Sequence, residues 1–185
     1  MQPPAITRHR RPFLAPFWLM WLLFFVAVAI AFTAYRSATT TTVVVVRHAE
    51  KQLVTIDDPP LAPEGERRAE RLAQMFGAPH GAGSIDAIYT SEPRRAQQTA
   101  APLAARLGLR LTVLAGATAD ATASKALHEH AGGRVLIVGH SNTVPEIVRK
   151  LSGVTVAPIA DDEYDNIYVV TVPTFGRASV LRLKY

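Results

Sequence analysis

Residues 43–51 read VVVVRHAEK, and the fold turns on this stretch. Four consecutive β-branched residues are stiff at χ1 and suit a pleated sheet. Val43, Val44, Val45 and Val46 leave no polar position, so both faces of the strand must be covered. That is the pattern of a central strand in a largely parallel sheet. The run then stops at Arg47-His48, and in open α/β sheets ligands bind beyond the carboxyl ends of strands.

Working outward, the chain alternates between two periodicities. Pro63–Phe76 (PEGERRAERLAQMF) has the spacing of an amphipathic helix, with Gly77 as its stop. Asp86–Tyr89 is a short strand, and Ser91 is placed to cap a helix over Pro93–Leu107 that Gly108 closes. Arg110–Leu114 reads as a strand, Ala121–His130 as a weaker helix, and Arg134–Val138 (RVLIV) as a second strand buried on both faces. Thr143–Leu151 is helical, with Pro145 in the first turn, where a missing N–H costs little. Asn166–Val172 and Ala178–Leu183 form a pair joined by a turn around Pro173 and Gly176. This order predicts an α/β domain: a three-layer α/β/α sandwich with a mostly parallel central sheet and an antiparallel addition.

The chain has 185 residues, 49% hydrophobic and 19% charged, which suits one domain with a sizeable core and excludes a disordered chain. The absence of cysteine excludes a disulfide scaffold, a Cys-ligated zinc site and a thiol nucleophile. A net charge of +5 invites a polyanion-binding reading, but the excess is confined to the N-terminus. Arg8, Arg10, Arg11 and Arg36 face no acid within residues 1–36, and the remainder is almost neutral. A nucleic-acid partner is therefore not expected.

Residues 12–35 (PFLAPFWLMWLLFFVAVAIAFTAY) carry no charge. As a helix they would reach roughly 36 Å, enough to cross a hydrocarbon core of about 30 Å. Trp18, Trp21 and Tyr35 suit the interfaces, and the preceding arginines place residues 1–11 in the cytoplasm. Residues 36–41 then serve as a polar linker, and residues 42–185 form an extracytoplasmic domain. A signal peptide cleaved near Ala29-Ile30-Ala31 is the alternative; its apolar run exceeds the usual 7–15 residues. An anchor is the favoured reading.

Three strand ends carry chemistry-bearing types: Arg47-His48-Ala49-Glu50-Lys51, TSEPRRAQQT (90–99) and GHSNT (139–143). Singly, each is weak. Together, VVVVRHAEK (43–51), LAPEGERRA (61–69), IYTSEPRRAQQTA (88–100) and VLIVGHSNT (135–143) resemble the histidine phosphatase superfamily, in its order and over essentially all of 42–185. The resemblance implies the phosphoglycerate mutase-like sandwich, with His48 as the nucleophile that becomes phosphorylated. It implies Arg47, Arg95 and His140 around the phosphate, and it leaves Arg94 as surface. It implies no metal and no cofactor. The mutases of the family carry long insertions, and the short 115–133 segment favours a phosphatase.

The physical chemistry agrees with these types. A phosphoryl group in transfer spreads charge over its oxygens, and guanidinium groups supply fixed, bidentate donors for it. The same cations disfavour imidazolium, keeping His48 neutral and nucleophilic. Asp120 is the preferred general acid, Glu129 reads as a solvated helix face and Glu163 is the outsider; some family members acting on phosphohistidine lack a dedicated acid. Glu50 either orients Arg47 or lies at the rim. Asn142 and Ser141 either cap a helix or offer donors to phosphate. His128 and His130 read as a solvated helix face rather than a metal site, and His80 as exposed in a Gly-rich loop.

A serine hydrolase built on Ser141 fails, because Thr143 stands where glycine is wanted and no histidine lies downstream of His140. A silent module that merely holds a phosphorylated ligand is the rival from another class. The partners expected are a small phosphorylated substrate or a phosphorylated envelope component, together with the membrane. A phosphohistidine protein substrate would require the opposite topology.

Overall fold

The computed structural model describes residues 17–78 and 84–185. Residues 1–16 and 79–83 lie outside it, and with them His80 and the N-terminal arginines Arg8, Arg10 and Arg11. Two compact units are present, divided between Tyr35 and Arg36.

The first unit is a helix. α1 (Phe17–Ala38) has no acidic or basic residue before Arg36, and its window over Phe17–Tyr35 has a mean hydropathy of 2.3 with none of it buried. By length and composition it can cross a membrane; a signal sequence has the same character. The helix runs to Ala38 and β1 starts at Thr41, so the stretch expected as a linker, 36–41, is mostly part of one element or the other.

The second unit is a six-stranded sheet covered on both faces. Its elements are β1 (Thr41–Arg47), α2 (Pro63–Phe76), β2 (Ala87–Thr90), α3 (Arg94–Leu107), β3 (Leu111–Val113), α4 (Ala119–Glu129), β4 (Arg134–Gly139), α5 (Thr143–Ser152), β5 (Asn166–Val172) and β6 (Ser179–Lys184). The strand order is β3-β2-β4-β1-β5-β6. β3, β2, β4 and β1 pair parallel; β5 runs against β1, and β6 against β5. The sheet is therefore mixed: β5 alone is reversed, yet that one reversal makes two of the pairings antiparallel.

The valine run behaves as its composition dictates. Val43 and Val45 pack with Ala126 of α4 and Val144 and Val148 of α5. Val44 and Val46 pack with Leu72 of α2 and Ala100 and Leu103 of α3 on the opposite face. All four valines are buried. Burying such side chains stabilises by roughly 1.5–3 kcal/mol each.

This layering creates the crevice that matters. The helix after β1 lies on one face, and the helix after the adjacent β4 lies on the other. Chains leaving neighbouring strands in opposite directions open a gap at their carboxyl ends, where α/β sheets bind ligands. Arg47 pairs with Gly139 at that edge, which sets His48 and His140 on its two sides. Gly139 is needed there, since a Cβ would lie 2.8 Å from Thr143 Oγ1.

Candidate active site

His48 is 4% exposed and doubly held. Its Nδ1–H donates to Ala49 O at 2.8 Å, because a carbonyl can only accept. That fixes the tautomer and leaves the lone pair on Nε2, which accepts from Arg95 Nε at 3.2 Å. The His140 ring stands 5.2 Å away, centroid to centroid, in an edge-on arrangement. His140 Nε2 lies 2.8 Å from Ser91 Oγ, and its backbone N–H donates to Thr143 Oγ1 at 2.9 Å.

The arginines are fixed by groups distant in sequence. Arg47, 6% exposed, donates through Nη1 to Ala160 O at 2.7 Å and to Glu163 O at 3.1 Å. Its guanidinium carbon lies 4.2 Å from the centre of the Tyr164 ring, a cation–π contact. Its buried Nε has no hydrogen-bond partner among the described residues. Arg95 approaches Asp58 Oδ1 at 3.5 Å, and Asp58 also accepts from the Arg94 backbone N–H at the start of α3. Arg94 itself is exposed.

Burial, the largest influence, pushes His48 down to about 4; nearby His140, Arg95 and Arg47 add to this, while the bond to Ala49 opposes it. His140 is likewise pushed down to about 4, first by burial and then by Arg95 and Arg47. Both rings are neutral at neutral pH, so the crevice holds a lone pair between two permanent cations.

The loop carrying His48 is clamped from beneath. Ala49 N–H donates to Thr99 Oγ1 at 2.9 Å, and that hydroxyl donates to Arg95 O at 2.8 Å. Ala62 N–H donates to Glu50 O, and a Cβ on Gly65 would lie 2.2 Å from the same oxygen. Glu50 forms a two-pronged pair with Arg68, with contacts of 2.6–3.0 Å. It therefore does not orient Arg47; carbonyls do that instead.

The remaining expectations divide. Asp120 lies in the first turn of α4, 65% exposed, and pairs with Lys150 at 2.6 Å. Glu129 accepts from Tyr89 and Lys125, and the Glu163 carboxylate faces Arg182 and Lys184 of β6. Ser91 does not cap α3, because its hydroxyl is turned to His140. Asn142 occupies the cap position of α5 without a side-chain hydrogen bond and is exposed. His130 reaches Tyr89 rather than solvent alone, and no metal-holding group occurs among the described residues. Thr99, Asp58 and Tyr164 were not singled out from sequence, and Ser91 was read there only as a helix cap. Only Thr99, one turn after Arg95 on the buried face of a predicted helix, carried a readable signal.

The model of the histidine phosphatase superfamily (branch 1) matches residues 43–118, which hold Arg47, His48 and Arg95. The match bears out, over those residues, the resemblance to that superfamily read from the sequence. His140, Asn142 and Glu163 lie beyond the matched residues.

Two solved structures illustrate the likeness. The protein histidine phosphatase SixA complexed with tungstate is 22% identical at a TM-score of 0.60, covering 77% of this chain and 96% of that one. The mycobacterial glucosyl-3-phosphoglycerate phosphatase is 14% identical at a TM-score of 0.58, covering 76% of this chain and 97% of that one. At such identities the likeness establishes the fold. No curated protein sequence matches the chain.

Proposed function

We propose that the chain is a metal-independent phosphomonoesterase that works through a phosphohistidine on His48. The observation that carries this reading is the state of that ring: neutral, with its proton on Nδ1 held by Ala49 O and its Nε2 lone pair beside Arg95. In the first step Nε2 attacks phosphorus, the N–P bond forms and the P–O bond to the leaving group breaks. In the second, water attacks phosphorus, the N–P bond breaks, and inorganic phosphate leaves with His48 restored. Arg47, Arg95 and His140 hold the peripheral oxygens as charge develops on them. An oxyanion there also supplies an acceptor for the unpartnered Arg47 Nε.

No carboxylate is assigned as general acid, since Asp120 is already engaged by Lys150. Leaving groups that depart without protonation, such as aryl oxides, are therefore the ones hydrolysed fastest. The proposal places α1 in the membrane with residues 1–11 cytoplasmic and the domain across it, supported by the uncharged span and the arginines before it.

The test is hydrolysis of an activated aryl phosphate by the full chain in the presence of a chelator. Activity should persist, vanish in His48→Ala, and leave an acid-labile, alkali-stable phosphoenzyme on brief incubation. Full activity in His48→Ala, or restoration only by divalent cation, overturns the mechanism. A topology reporter fused after Tyr185 that is active only in the cytoplasm overturns the orientation.

A further inference from the structure

Beside His140, a cavity of about 180 Å³ opens between the carboxyl ends of β2 and β4 and the first turns of α4 and α5. Its walls include Tyr89, Leu114, Ile137 and Ile147, with Ala117 contributed by the loop before α4. Neither lysine nor arginine is among the described residues that line it, whereas Glu92 is. Glu92 is exposed and makes no ion pair among the described residues.

We infer that this cavity receives the leaving group of the phosphomonoester, and that it selects an uncharged, largely apolar group of about one ring in size. The inference rests on the phosphatase reading above. His140 belongs both to the pair around the phosphate and to the cavity wall, so a group esterified to that phosphate has the cavity beside it. The size fits: an apolar cavity of about 150 Å³ takes a benzene ring. The walls offer an apolar group burial and offer a carboxylate or second phosphate no cation. Such an anion meets the like charge of Glu92 instead. Rejection by an unpaired like charge is how a site narrows its substrates without tightening on the right one. Phosphorylated sugars bearing a carboxylate or a second phosphate are thus poor substrates, and uncharged aryl or short lipid-like esters are good ones.

The experiment uses three phosphates with the full chain: acetyl phosphate, whose leaving group is too small to need the cavity, 4-nitrophenyl phosphate, and 4-carboxyphenyl phosphate. Ala117 is exposed, so Ala117→Phe fills the cavity from a loop without disturbing the core. It should lower kcat/KM for 4-nitrophenyl phosphate about tenfold, the worth of one methylene or more in a pocket, and leave acetyl phosphate within about twofold. Glu92→Gln should raise kcat/KM for 4-carboxyphenyl phosphate about fivefold and leave 4-nitrophenyl phosphate unchanged.

Equal effects of Ala117→Phe on acetyl phosphate and 4-nitrophenyl phosphate, or no gain for the carboxylated ester in Glu92→Gln, overturn the inference while the phosphatase reading stands. If the wild-type chain turns over none of the three, the phosphatase reading falls and this inference falls with it.

Discussion

Thr99→Val isolates the clamp beneath the nucleophile. The Thr99 hydroxyl, on a residue with no exposed surface, accepts from Ala49 N–H at 2.9 Å and donates to Arg95 O at 2.8 Å. Valine keeps the shape and deletes both bonds. Ala49 is fully buried, so its N–H is left with neither protein nor solvent, at a cost of about 1–3 kcal/mol. For a domain of this size each kcal/mol lowers Tm by roughly 2–4 °C, which gives a fall of about 2–12 °C by thermal denaturation. The same residue carries, in the next peptide group, the carbonyl that fixes the His48 tautomer, and losing about one hydrogen bond of orientation there lowers kcat about tenfold. Thr99→Ser retains the oxygen and should restore most of kcat. A valine variant within about 1 °C and twofold of wild type refutes the reasoning.

Two further outcomes follow from the same geometry. His48 and His140 have pKa values near 4 against 6.5 unfolded, so the unfolded chain binds protons first as pH falls. Their contribution to stability is complete above pH 6.5 and is lost between there and about 4; Tm measured across that window should fall, and less so in a double His→Asn variant. The acid limb of kcat/KM should lie near 4 rather than 6.5, and a limb at 6.5 would contradict a neutral buried nucleophile. Gly65→Ala should be severely destabilising, because its Cβ would sit 2.2 Å from Glu50 O, a backbone atom that cannot step aside; an unchanged Tm would contradict that close approach.

The elements were legible in the chain because their signals are local. The valine run, the 3.6-residue spacing of PEGERRAERLAQMF and the glycines after α2 and α3 each fix an element without reference to anything distant. The choice of Arg47, His48, Arg95 and His140 came from the family resemblance, and the ends of β1, β2 and β4 bring their segments to one edge. What could not be read was how they are held. Arg47 hangs on the carbonyls of Ala160 and Glu163, more than a hundred residues away, and a carbonyl looks the same in every residue. Asp120 read as an acid near a strand end, but Lys150, which draws it off, becomes a neighbour only once α4 and α5 pack together. Ser91 had the type and place of a helix cap, yet β2 and β4 lie side by side and hand its hydroxyl to His140.

The position of β1 has a consequence for biosynthesis. Its partners are β4 and β5, so Val43 waits for Val135 on one side and Val170 on the other. At a ribosomal pace of about 5–20 residues per second, the valine run spends several seconds to tens of seconds emerged but unmatched. A bare β-branched stretch of low charge is a template for pairing with another copy of itself. Nascent chains should therefore depend on a holding chaperone until β4 is made, and crowded overexpression should yield inclusion bodies seeded at this strand.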